Sequence, residues 1–156
     1  MNPITIRQAT EADMETLLRF EQGVIAAEIP YDTTLKTGPN YFYNIPEMIA
    51  APHIKLLVAE MDKQLIGSGY ARIENSKHYV KHLHHAYLGF MYVVPEQRGK
   101  GVNKKIIHTL QQWALSKNIT ELRLDVLEGN VPAITAYEKI GFSKYLIEMR
   151  MNLEEK

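Results

Sequence analysis

The residues with the most chemical meaning form the run Gln97-Arg98-Gly99-Lys100-Gly101-Val102-Asn103, between an apolar segment ending at Pro95 and an amphipathic one beginning at Lys104. A strand, a glycine-rich turn and a helix in that order expose several backbone N–H groups. Glycine lets a ligand approach without a Cβ in the way, and the helix N-terminus adds partial positive charge. The chemistry is that of a phosphate or pyrophosphate cradle, with Arg98, Lys100 and Lys104 adding charge around it. A second group is His78, His82, His84 and His85. An imidazole with an unperturbed pKa of about 6.5 is largely neutral at pH 7 and suits proton abstraction. A metal site is the weaker reading, because neither carboxylate nor cysteine accompanies these histidines at a familiar ligand spacing.

The remaining composition bounds what such groups serve. The chain has 156 residues, 46% of them hydrophobic, which fits one domain spanning 1–156 with a workable core. Lys+Arg and Asp+Glu both number 18, so no basic stripe for nucleic acid is expected. A small molecule or peptide is the expected partner. There is no cysteine, which removes disulfides, thiolate metal sites and a thiol nucleophile. No apolar run approaches the about 18 residues of a membrane span, and Met1 is not followed by a signal core. A cytoplasmic, membrane-free protein is the expectation.

The elements that must position these groups are legible in the pattern. Ile4 to Gln8, Ile54 to Glu60, Leu65 to Glu74, His84 to Val94, Glu121 to Leu127 and Lys144 to Leu153 read as strands. Met61 to Gln64 reads as a hairpin turn, and Gly67 and Gly69 as a bulge or a close backbone approach. Thr10-Glu-Ala-Asp13 resembles a capping box ahead of a helix bearing Met14, Leu17, Leu18 and Glu21. Pro46 to Ala50 is a short helix. Asn103 to Lys117 is a longer one, whose apolar stripe is Val102, Ile106, Ile107, Leu110, Trp113 and Ala114, with Asn118 as C-cap. Pro132 opens a last helix that Gly141 ends. Glu28 to Asn44 lacks periodicity and carries Tyr31, Tyr41, Phe42 and Tyr43, as a cleft-lining segment would.

Val94-Pro95-x-x-Arg98-Gly99-x-Gly101, followed by Asn130-x-x-Ala133-x-x-x-Tyr137-x-x-x-Gly141-Phe142, resembles the Gcn5-related N-acetyltransferase (GNAT) family. Ile6-Arg7-x-Ala9-Thr10-x-x-Asp13 and Tyr145-x-x-Glu148-Met149-x-Met151 extend the resemblance to the family's first and last strands. It implies an α/β fold: a mixed, strongly twisted sheet of about six to seven strands, helices on both faces, and a V-shaped split between the fourth and fifth strands. It also implies acetyl-CoA as co-substrate and acetyl transfer by direct attack of a primary amine, that of a small amine, a peptide α-amine or a lysine, on the thioester; no metal is expected. A homodimer is a further expectation. The alternative is a catalytically silent CoA-binding or sensor module.

By the same resemblance, Arg98, Gly99, Lys100, Gly101, Val102, Asn103 and Lys104 hold the pyrophosphate, while Met91, Tyr92 and Val93 offer main-chain donors to the thioester carbonyl. Asn130 and Ala133 border the pantetheine arm, and Tyr137 protonates the leaving thiolate. Asn103 stands where the family prefers a small residue. For the base, relatives place a glutamate near the start of the strand before the loop. The corresponding position is His85, with Glu74, Glu60 and a water relay as competitors. Glu28 and Asp32 are suited to attracting a cationic amine.

Overall fold

The computed structural model describes residues 2–154. Five strands lie in the order β1 (Thr5–Gln8), β2 (Ile54–Met61), β3 (Gln64–Asn75), β4 (His84–Val93) and β5 (Leu122–Arg123). The first three junctions are antiparallel and β4 runs parallel to β5. Helices α1 (Met14–Glu28) and α2 (Ile45–Ala50) pack on one face, and α3 (Val102–Ser116) packs on the other. α4 (Val131–Ile140) follows β5.

Coverage of both faces explains why the middle of β2, Leu56 to Ala59, is an unbroken apolar run. Leu57 and Ala59 enter the cluster under α3, while Leu56 and Val58 enter the one under α1 and α2. The β2–β3 connection is a two-residue turn in which Asp62 and Lys63 have φ of 53° and 64°, the left-handed pair of a type I′ hairpin. Asn118, at φ 60°, ends α3 as expected, and Ile119 N–H reaches back to Ala114 O at 2.9 Å. At the other end of the chain, Asp13 is buried. Its carboxylate accepts the Thr10 N–H at 2.8 Å and both Arg7 guanidinium nitrogens at 2.9 Å, tying β1 to α1.

Two strand expectations are corrected. The fifth strand is only Leu122–Arg123, because pairing with β4 stops at Tyr87↔Arg123, where the two strands part. The closing strand Lys144 to Leu153 forms no ladder. The two-residue edge of β5 is too short to template it, and Tyr145, Leu146, Ile147, Met149, Met151 and Leu153 are exposed. The described sheet therefore has five strands.

Candidate active site

The site begins where β4 leaves β5. Between the pairs Ser68↔Tyr92 and Tyr70↔Gly89, β3 contributes one residue and β4 contributes two. This bulge places Phe90 at φ 54°, an uncommon conformation for a bulky side chain. Packing holds it there: Phe90 is buried, its ring stacks on Tyr43 at 4.4 Å, and its carbonyl accepts the buried Ser68 hydroxyl at 2.9 Å. After the bulge, Val94 N–H returns to Ile66 O at 2.9 Å. Strand alternation then turns the Val93 and Met91 amides the other way, toward the gap left by β5. The Tyr92 side chain is committed to packing against Phe20, with ring centroids 4.8 Å apart, so only its main chain is available.

β4 runs directly into the glycine loop. Gly99 and Gly101 have φ of 77° and 82°, and a Cβ at either would meet nothing within 4 Å. Glycine is needed there for its conformation and not for space. Gly101 is the N-cap of α3, so the opening amides of a 15-residue helix point out of the loop. Arg98 donates from Nε to Val93 O at 2.9 Å and lies 5.6 Å from the Tyr92 ring centroid, which pins the loop to the strand. Val102 is a core side chain and can offer a ligand only its backbone, whereas Lys100 and Lys104 are exposed.

α4 supplies the facing wall. Asn130 is its N-cap, its side-chain oxygen accepting Ala133 N–H at 3.3 Å. That bond uses the Ala133 amide and leaves the Asn130 carboxamide nitrogen as a donor. Tyr137 packs edge-on to Phe142 at 5.9 Å and against the core under α3. Burial pushes its phenol up, opposed by the Asn103 carboxamide beside it. Asn103 and Tyr137, read from separate motifs, thus meet, and the buried Asn103 Oδ1 has no hydrogen-bond partner among the described residues. An orphaned acceptor, a row of loop amides and open space over both glycines together fit a phosphate-bearing ligand whose arm carries amide donors.

On the opposite face of the sheet, a cleft of about 620 Å³ is lined by aromatic residues (Phe42, Tyr43, Tyr70 and Tyr87) and charged ones (Glu28, Glu47, Arg72, Glu74 and Asp125). Tyr87 donates its hydroxyl to Asp125 at 3.2 Å, bridging the strands where they part. Burial, and then the charge of Asp32, hold the Glu28 carboxyl above its ordinary value. Asp32 itself is turned away, accepting from Thr34 and Arg150, and these bonds hold it below the ordinary range. Buried Glu21 accepts the Phe42 and Tyr43 N–H groups at 2.9 and 2.7 Å and fixes the aromatic segment.

Of the histidines, His82 and His85 meet edge-on with ring centroids 6.4 Å apart. His85 is buried, with Nδ1 2.8 Å from Ser76 Oγ and Nε2 3.3 Å from Glu74 Oε1, so both ring nitrogens are occupied behind the cleft. His82 contacts Arg123, and His78 packs on Tyr79. Glu74 does line the cleft, held by His85 and Arg72, whereas Glu60 pairs with Arg7 on β1. Sequence reasoning missed Ser68, Phe90 and Asp125, for which no periodic signal exists. Glu21 did leave one, as an acid on the apolar stripe of α1.

The sequence profile described as "Acetyltransferase (GNAT) family" matches residues 21–142. Bovine (Bos taurus) thialysine N-epsilon-acetyltransferase is 28% identical over 149 residues, covering 88% of this chain and 83% of that protein. A predicted acetyltransferase from Clostridium acetobutylicum, solved with acetyl-CoA, superposes with a TM-score of 0.73 at 21% identity and covers 99% of both chains. A mutant protein from Bacillus halodurans reaches 0.87 at 17% identity, covering 96% of this chain and 99% of that one. The profile spans most of the chain, from α1 through the glycine loop to Phe142, and the chain belongs to the GNAT acetyltransferase family.

Proposed function

We propose that this chain transfers the acetyl group of acetyl-CoA to a primary amine. The observation that carries the proposal is the gap at the end of the β4–β5 ladder, with a phosphate-type loop at its foot and an acidic, aromatic cleft opening on the other face. Bound acetyl-CoA would supply an activated thioester. The loop amides from Gly99 to Lys104 would take its pyrophosphate, and the Asn130 carboxamide and Asn103 Oδ1 its arm. The Met91 and Val93 amides would polarise the carbonyl. The acceptor arrives as an ammonium and must lose a proton before a C–N bond can form. Among the cleft carboxylates Glu28 is best suited to take it, because its proton affinity is raised and no cation pairs with it among the described residues. As the C–S bond breaks, the Tyr137 hydroxyl, kept protonated by burial, would give its proton to the departing thiolate.

The test is thiol release from acetyl-CoA in the presence of amines, for wild type and Tyr137→Phe. Expected are turnover with wild type, and in the variant a kcat lower by about 10²-fold with CoA affinity retained. Tight CoA binding without turnover on any amine would instead identify a silent CoA-binding module.

A further inference from the structure

Phe142 packs against the buried cluster under α3, and beyond it no main-chain hydrogen bond among the described residues ties 143–154 to the rest of the molecule. The composition of this arm is not that of a free tail. Tyr145, Ile147, Met149, Met151 and Leu153 alternate with Leu146, Glu148, Arg150 and Asn152, the period of a strand with one apolar face. That face meets water: Tyr145 is 73% exposed and Met149 88%. Two polar contacts tether the arm. The Arg123 guanidinium lies 5.2 Å from the Tyr145 ring centroid, and Arg150 donates from Nη1 to Thr34 Oγ1 at 2.8 Å, with Nη2 3.4 Å from Asp32 Oδ1. Exposed pairs of this kind are weak restraints.

The body carries the matching deficit. β5 pairs with β4 on one side and with no described strand on the other, although its alternation continues through Leu122, Leu124 and Val126. Beside it α4 has no buried residue, and Val126 and Val131 are exposed. One chain thus holds a strand without an edge and an edge without a strand. They do not serve each other, because between Tyr145 and Arg150 the arm leaves β5 for the segment after α1. β5 is too short to hold a strand by edge hydrogen bonds alone, so burial of the apolar face must supply the rest. We infer that two copies of this chain exchange arms, each laying its residues 145–153 along the β5–α4 flank of the other. A second copy brings both halves of the missing layer, and a mutual exchange closes at two chains with neither half left over. With the apolar face turned toward Leu122 and Leu124, alternation sets the partner's Glu148 and the partner's Arg150 on the side that Asp125 shares with the cleft.

The exchange stands on the fold and not on acetyl transfer, so its test needs no substrate. Sedimentation equilibrium of the full chain should give the mass of two chains. Met149→Glu puts a charge on the exchanged face and should weaken the dimer by at least about 100-fold, whereas Glu148→Gln, on the other face, should leave it within about threefold. Circular dichroism should show both variants folded, because both side chains are exposed in their own copy. The chain has no cysteine of its own, so Val126→Cys and Met149→Cys can be made in separate chains, mixed and treated with a bis-maleimide. A link between the two positions, found by peptide mass spectrometry, is then necessarily between chains and is the expected result. A wild-type monomer, a dimer indifferent to Met149→Glu, or a dimer that lacks the link would overturn the inference.

Discussion

A half-buried carboxylate at the last residue of a helix, where the backbone dipole is negative, is costly to ionise, and Glu28 closes α1 in that position. A base works only in its ionised form, so kcat/KM should rise with pH through the raised Glu28 value, placing the acid limb above that of an ordinary carboxylate. Glu28→Gln keeps the shape and removes the acceptor of the proton. It should lower kcat by about 10²- to 10⁴-fold, abolish that limb and leave CoA affinity intact. An unchanged rate and limb would pass the role to Asp125. Glu21 acts differently, by holding two buried N–H groups of the aromatic segment. Glu21→Ala strands both donors and should cost at least about 2 kcal/mol in urea unfolding. It should also raise the acceptor KM, because Phe42 and Tyr43 lose their anchor; a loss of stability with an unaltered KM would count against that link.

At the scale of elements, the bulge on β4 and the helix that carries the loop depend on two glycines across from them. A Cβ on Gly67 would lie 2.8 Å from the Tyr92 carbonyl oxygen and 3.2 Å from Val102 Cγ1, and one on Gly69 would lie 2.7 Å from Ile106 Cγ2. Gly67→Ala should therefore cost about 1–3 kcal/mol of stability by overpacking and weaken CoA binding, since it pries β4 and the start of α3 away from β3. Chemical denaturation and CoA calorimetry would measure both, and wild-type values would contradict this account. The sequence pattern anticipated the close approach at these glycines, the Asp62-Lys63 hairpin and the Asn118 cap, because each is a local rule written in a few adjacent residues. It overextended the strand at Glu121 to Leu127 and the one at Lys144 to Leu153, because alternation records what a segment is suited to pair with, not whether an edge is there to receive it. The same limit hid part of the site. Phe90, Ser68 and Asp125 matter through contacts between distant segments, Glu28 was legible only as an attractor of the amine, and His85, placed by its position along the strand, has both ring nitrogens engaged by Ser76 and Glu74.

The molecule as a whole places its two ligand regions on opposite faces of one sheet. The glycine loop and Tyr137 belong to the α3 side, the acidic cleft to the α1 and α2 side, and the two communicate where β4 and β5 part. Glu28 illustrates the connection, its charge acting on both Tyr43 in the cleft and Tyr137 beyond the gap. An acceptor bound on one face can then meet a thioester bound on the other without a protein group carrying the acetyl between them, and the chain has no cysteine to serve as a thiol carrier. Both substrates must be present together for transfer. Initial rates at varied acetyl-CoA and amine should give intersecting double-reciprocal lines, and protein incubated with acetyl-CoA alone should keep its mass. Parallel lines, or an acetyl adduct that a subsequently added amine discharges, would require a carrier residue in the gap and would break the link drawn here between the parted strands and direct attack.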